Sequence, residues 1–257
     1  MILGCVVDTT RPHRITEQVV AAERAGLNFV LFEDGPGPDP IECAAFASAS
    51  TRAIGLLATA SATHAEPFHL ANRFAGLDWG SSGRAGWLVT VDASAARARA
   101  YSAAPPEAAA AVAEADAVVD AARRLWDSWE DGALIADSAR GRFLDATKLH
   151  YVDAGEPLFR IRGPALMPRP PQGQVVVVGR SDDGIGDVDV VLRTVEPGAD
   201  LLARLRGLDG VVLTDFVPDV LPALIAEGLV IPPRPGQTLR DQLGLPRPAS
   251  RYAVEAR

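Results

Sequence analysis

Five short apolar runs in this 257-residue chain each end in polar side chains, and those ends hold the residues with chemistry to offer. Asp8 follows the first run, Glu33 and Asp34 the second, and Thr59-Ala60-Ser61-Ala62-Thr63-His64 the third. Thr90 and Asp92 follow the fourth, and Gly179-Arg180-Ser181 the fifth. Carboxylates, hydroxyls and a guanidinium at the carboxyl ends of parallel strands are the material of a ligand site, although loops facing water carry the same residue types. Gly179-Arg180-Ser181-Asp182-Asp183-Gly184 joins a strand-ending glycine to a cation, a hydroxyl and further backbone donors, the parts of a phosphate loop. Asp182, Asp183 and Asp187 would repel a phosphate, and Ile185-Gly186-Asp187 leaves no room for a helix whose N-terminus could add its dipole. A tight acidic turn accounts for the same residues.

Other chemistries find less support. His13, His64, His69 and His150 show no metal-ligand spacing; His64 and His69 are five apart and lack a third ligand nearby. His64, at a strand end, suits proton transfer and, as readily, a packed or solvated imidazole. There is no nucleophile elbow, Walker loop or dinucleotide fingerprint. Trp126-Asp127-Ser128-Trp129-Glu130-Asp131 is read as packing at a helix end.

The elements that must position these residues alternate regularly. Ile2–Val7, Asn28–Phe32, Ile54–Ala60 and Ala85–Val91 are expected strands, with helices over His13–Ala25, from Pro40 and from Pro67. The strands are apolar without alternation, as in a sheet covered on both faces, and strand–helix units without hairpin turns imply parallel pairing through crossovers. Pro105–Trp129 should form a long helix, and Asp137–Gln172 an excursion over the surface. Strands resume at Gln174–Gly179, Val188–Leu192 and Gly210–Leu213, with helices near Ala199–Arg206, Val217–Glu227 and Thr238–Leu243. The tail from Pro232 is proline-rich. That makes seven strands and one domain over residues 1–257.

Composition closes off several function classes. A formal charge of -8 and scattered arginines leave no basic patch for nucleic acid. No apolar run approaches the ~18 residues of a membrane span, and the apolar start is read as a strand and not a signal peptide. Two cysteines, Cys5 and Cys43, make no disulfide framework, which points to the cytoplasm.

Several segments carry a family resemblance: Ser82-Gly83-Arg84-Ala85-Gly86-Trp87, Leu125-Trp126-Asp127-Ser128-Trp129-Glu130-Asp131, Gly55–Ser61 and Glu66–Ala71. It continues in Arg162-Gly163-Pro164, Pro171-Gln172-Gly173, Thr238-Leu239-Arg240 and Leu243–Pro248. In these the chain resembles the nitrilotriacetate and dibenzothiophene sulfone monooxygenase group of the bacterial luciferase-like superfamily. The resemblance implies a (β/α)₈ barrel that uses reduced flavin mononucleotide (FMN), supplied by a separate flavin reductase, and dioxygen to oxygenate a small organic substrate. It places flavin contacts at Asp34, in Thr59, Ser61 and Thr63, and at Ser181 of the phosphate loop, beside the candidate cation Arg180. It also implies pairing into a homodimer.

Departures from the family pattern are specific. Leu88 stands where the family has Asn, Ala62 interrupts its hydroxyl run, and Ala108 and Val112 fall where it has His and Tyr. Between Thr194 and Leu208 the chain lacks the family's further helices, a barrel strand and a substrate insertion. The expected fold is therefore a contracted TIM-like barrel of seven parallel strands. Two functions fit: an FMN-dependent monooxygenase, or a non-catalytic relative that binds a ligand or a partner subunit. A deazaflavin-dependent oxidoreductase is a third, favoured by no residue.

Overall fold

Seven parallel strands form a barrel: β1 (Ile2–Val6), β2 (Phe29–Phe32), β3 (Gly55–Ser61), β4 (Ala85–Thr90), β9 (Val176–Arg180), β10 (Val190–Val195) and β11 (Gly210–Leu213). They close in the order β1-β11-β10-β9-β4-β3-β2. The computed structural model describes residues 1–154 and 159–253. This is the contracted TIM-like barrel that the strand count implied. Around it lie α1 (Ile15–Ala25), α2 (Pro40–Ser48), α3 (Pro67–Gly80), α4 (Ala95–Ala100), α5 (Ala108–Asp127), α6 (Leu201–Leu205) and α7 (Leu221–Ala226). Pro40 and Pro67 open their helices, behind Asp39 and Glu66, whose carboxylates accept from the first free backbone N–H groups. No helix among the described residues is long and apolar enough to cross a membrane.

The interior and the helical jacket form two apolar clusters. Phe29, Leu31, Leu57, Leu88, Val176, Val178, Leu192 and Val212 fill the barrel itself. Phe29 fits because Gly4 faces it: a Cβ on Gly4 would lie 2.3 Å from the ring. The lower end is plugged by Leu239 of α8 (Leu239–Gln242), whose methyls would lie 2.7 Å from a Cβ on Gly55 and 3.0 Å from one on Gly86. The proline-rich tail thus serves as a stopper for the barrel.

One expectation needs correction, and two features were not anticipated. The strand placed at Val188–Leu192 runs instead over Val190–Val195, because Asp189 turns inward to accept from Val177 N at 2.8 Å and to pair with Arg240 at 3.1 Å. The surface excursion and the segment that leads into it carry strands of their own. They form two antiparallel pairs, β5 (Leu134–Asp137) with β6 (Arg142–Leu144) and β7 (Val152–Ala154) with β8 (Ile161–Gly163). The helix α4, capped by the Ser94 hydroxyl, was not anticipated. Parts of the excursion and of the tail, residues 155–158 and 254–257, lie outside the described residues.

Candidate functional site

Side chains of a barrel strand alternate inward and outward, so each interior layer predicts the one above it. Leu31 continues to Glu33, Leu57 to Thr59 and Ser61, Leu88 to Thr90, Val178 to Arg180, and Leu192 to Thr194. The top layer is therefore polar over an apolar plug. Leu88 sits at the boundary, in register with Thr59 on one side and Val178 on the other.

Above that boundary opens a cleft of 590 Å³ whose polar walls are Glu33, Asp34, Thr59, Ser61, Thr90, Asp92, Arg97 and Arg180. A side groove of 270 Å³ shares Asp34, Thr59, Ser61 and Arg97 and runs past Arg73 and Tyr101. A larger cavity, 620 Å³, lies at the opposite, amino-terminal end of the strands. There Asp189, just before β10, is already paired with Arg240 and Arg123. Parallel α/β barrels hold ligands at the carboxyl ends of their strands, so the upper cleft is the candidate site.

The cations of the cleft are engaged. Arg180 donates to the Glu33 carboxylate and, at 3.1 Å, to the Thr194 hydroxyl. Arg97 lies 3.6 Å from Asp34 and over the ring of Tyr101, 5.3 Å from its centre. Asp92 accepts from Ser94, which holds its carboxyl below the usual range, and its own N–H donates to Thr63 Oγ1. The loop after β9 is likewise self-satisfied: Arg180 N donates to Asp183 at 3.3 Å and Ser181 Oγ to Asp182 at 2.7 Å. Burial pushes the Asp183 carboxyl upward, and Asp182 adds to the shift.

Two donors remain without partners although they are shielded from solvent: the Thr59 hydroxyl and Arg97 Nε. A buried polar group left unpaired is costly, and on a cleft wall it leaves a valence open to a ligand. Of the residues singled out from sequence, Glu33, Asp34, Thr59, Ser61, Thr90, Asp92 and Arg180 line the cleft together. Thr63 is fully buried and serves Asp92, and Ser181 is exposed on the loop; neither lines it. Asp8 is held in an exposed turn by Thr10 and Gln18. His64 stacks on Tyr101 with ring centres 5.7 Å apart, in a left-handed backbone at φ 57°, and its Nε2 is shielded without a partner. Sequence reasoning missed Arg97. It lies on the unexpected helix α4, and only the Ser94-Ala95 start of a cappable turn hinted at it.

Known proteins give this architecture a family. Residues 4–186 match the luciferase-like monooxygenase family. N-acetyl-S-(2-succino)cysteine monooxygenase of Bacillus subtilis (strain 168) is 42% identical over 137 residues, which cover 52% of this chain and 31% of that protein. The chain thus spans less than a third of that relative. One of the subunits of pristinamycin IIA synthase from Streptomyces pristinaespiralis is 31% identical over 98% of both chains. Among solved structures, EDTA monooxygenase from Chelativorans sp. BNC1 superposes with a TM-score of 0.77 at 18% identity, over 96% of this chain and 98% of that one. A family match across most of the chain, on the barrel that family builds, makes this protein a member of the luciferase-like monooxygenase family.

Proposed function

We propose that this chain works in a flavin-dependent monooxygenase of the luciferase-like type, which oxygenates a small organic substrate with dioxygen, and that it does so as one of two paired barrels. The observation that carries this reading is the end-to-end correspondence with the pristinamycin IIA synthase polypeptide, which is itself one component of a multi-chain enzyme. The longer monooxygenase is matched only in part. On this reading the chain is a shortened member of the nitrilotriacetate and dibenzothiophene sulfone monooxygenase group, folded as one unit over residues 1–257. It resides in the cytoplasm, in keeping with two free, buried cysteines, Cys5 and Cys43.

FMN is the cofactor of the paired assembly, received in reduced form from a separate reductase; it supplies the activation of dioxygen. Asp34, Thr59, Ser61 and Arg180 are the cleft residues of this chain proposed to face a flavin, Arg180 and Asp34 by exchanging their present partners Glu33 and Arg97, with Thr63 and Ser181 outside the cleft wall. The phosphate end of FMN does not fit the loop after β9, where Asp182 and Asp183 already take the Ser181 hydroxyl and the Arg180 N–H. That observation favours a second barrel as the main flavin holder. A second reading, in which this chain alone binds reduced FMN and performs catalysis, draws on the unpartnered Thr59 hydroxyl and Arg97 Nε.

The test is a titration with oxidised and chemically reduced FMN, of the purified chain and of the complex isolated from its native host. Native mass spectrometry of that complex distinguishes a homodimer from a pair with a longer barrel. Reduced-flavin binding by the complex, with none by the chain alone up to about 1 mM, is the expected result. Micromolar binding by the isolated chain favours the second reading. A strictly monomeric chain that binds no flavin overturns both.

A further inference from the structure

The barrel mouth carries its own anions. Arg180, the inward cation at the end of β9, meets Glu33. Its backbone N–H meets Asp183, the neighbouring Ser181 hydroxyl meets Asp182, and Gly186 N meets Asp116 at 2.9 Å. Arg97 faces Asp34 through its terminal nitrogen. Each of these donors, the kind a phosphate monoester would use, already serves a carboxylate of this same chain. The cleft walls hold three carboxylates, Glu33, Asp34 and Asp92, against two guanidinium groups, so an incoming dianion meets excess negative charge.

The unsatisfied atoms ask for something different. Thr59, 7% exposed, carries a shielded hydroxyl without a partner, Arg97 Nε is a shielded N–H without one, and both residues line the cleft. A hydroxyl and a single N–H are complemented by a carbonyl or hydroxyl oxygen, without any need for formal charge. Tyr101 and Leu70 add an apolar wall in the side groove. Resting on the reading of the mouth as a ligand site, we propose that this cleft binds an uncharged, carbonyl- or hydroxyl-bearing organic molecule and selects against phosphate monoesters, with Glu33, Asp182 and Asp183 acting as built-in replacements for the ligand's anion.

Riboflavin and FMN differ only in the phosphate, which makes them matched probes. Fluorescence titration of the full chain with each oxidised flavin should show riboflavin binding about tenfold tighter than FMN or better. The triple substitution Glu33→Gln, Asp182→Asn, Asp183→Asn should improve FMN about tenfold and leave riboflavin within about threefold. Thr59→Val should weaken riboflavin about fivefold without lowering the thermal midpoint. Equal or tighter FMN binding by the unaltered chain overturns the proposal, as does failure of both flavins to bind at about 1 mM. A folded triple variant with no gain for FMN also overturns it. If that variant does not fold, the riboflavin-to-FMN ratio of the unaltered chain decides alone. Equal or tighter FMN binding would also remove the phosphate argument for a second flavin-holding barrel, whereas the pairing itself is decided by native mass spectrometry, so the two readings are tested by separate measurements.

Discussion

At the lower end of the barrel Asp78 is completely buried, and its carboxylate accepts from Ala85 N and from both the backbone and the side chain of Gln172. At the mouth, Thr59 is nearly as buried, yet its hydroxyl has no partner. The same contrast repeats among the cations. Arg169, below, is clamped between Asp127 at 3.0 Å and Asp131 at 2.9 Å, and Arg240 donates to Gln174 O and Asp189. Arg97, above, leaves one nitrogen unused. A closed hydrogen-bond network rigidifies and specifies a fold; one with open valences reserves them for something that arrives later. Burial alone does not separate structural from functional polar residues in this protein; Thr59 and Arg97 keep open valences at the mouth, whereas at the lower end Asp78, Arg169 and Arg240 are paired and the Gln242 side-chain carbonyl oxygen is not.

That contrast can be broken most violently from below. Asp127→Ala would leave Arg169 buried without its main partner and release Gln174 and Arg251 as well, at a cost of about 3–5 kcal/mol in urea unfolding. Leu239→Ala would unstop the barrel and cost about 3 kcal/mol in the same measurement, with the cavity facing Gly55 and Gly86.

Asp78 offers a pH test of similar size. Burial lifts its carboxyl from the usual 3.8 to about 6, so the folded state favours the protonated form. Its contribution to stability is complete below pH 3.8 and is lost as pH rises through 6, about 3 kcal/mol in all. Comparing the pH slope of unfolding with that of Asp78→Asn isolates this part, since the variant should lack it. Equal slopes would mean that burial leaves the Asp78 carboxyl at its unfolded value.

The smallest expected effect sharpens the contrast from above. Thr59→Val conserves shape and removes a hydroxyl that makes no bond, so stability should hold or rise by up to about 1 kcal/mol while ligand affinity falls. A loss of stability on that substitution would place Thr59 among the structural groups.

Much of the barrel was legible because covered parallel strands are written as unbroken apolar runs, and Phe29–Phe32 and Gly210–Leu213 could be read almost to the residue. β10 was misplaced because Val188 continues the apolar run, while the inward turn of Asp189 depends on Arg240, more than fifty residues away. At the site, Asp34, Thr59, Ser61 and Arg180 could be read from their positions at strand ends. Thr63 and Ser181 share that position, but Thr63 lies past the end of β3 and turns to Asp92, and Ser181 is out of phase with inward Arg180 and bonds Asp182. Arg97 could not be read at all, since an Ala-Arg stretch announces a helix without saying what it leans over.

The sequence by itself determined the seven-stranded contraction and the polar ring at the mouth. Both follow from local rules: the length of an apolar run, and a side-chain direction that alternates at every residue. Only the tertiary structure decided which members of that ring are spent. Whether Arg180 is free or answered depends on Glu33 lying across the barrel, 147 positions away in sequence. Closure of the barrel sets such pairings, because it brings the ends of distant strands within hydrogen-bonding reach.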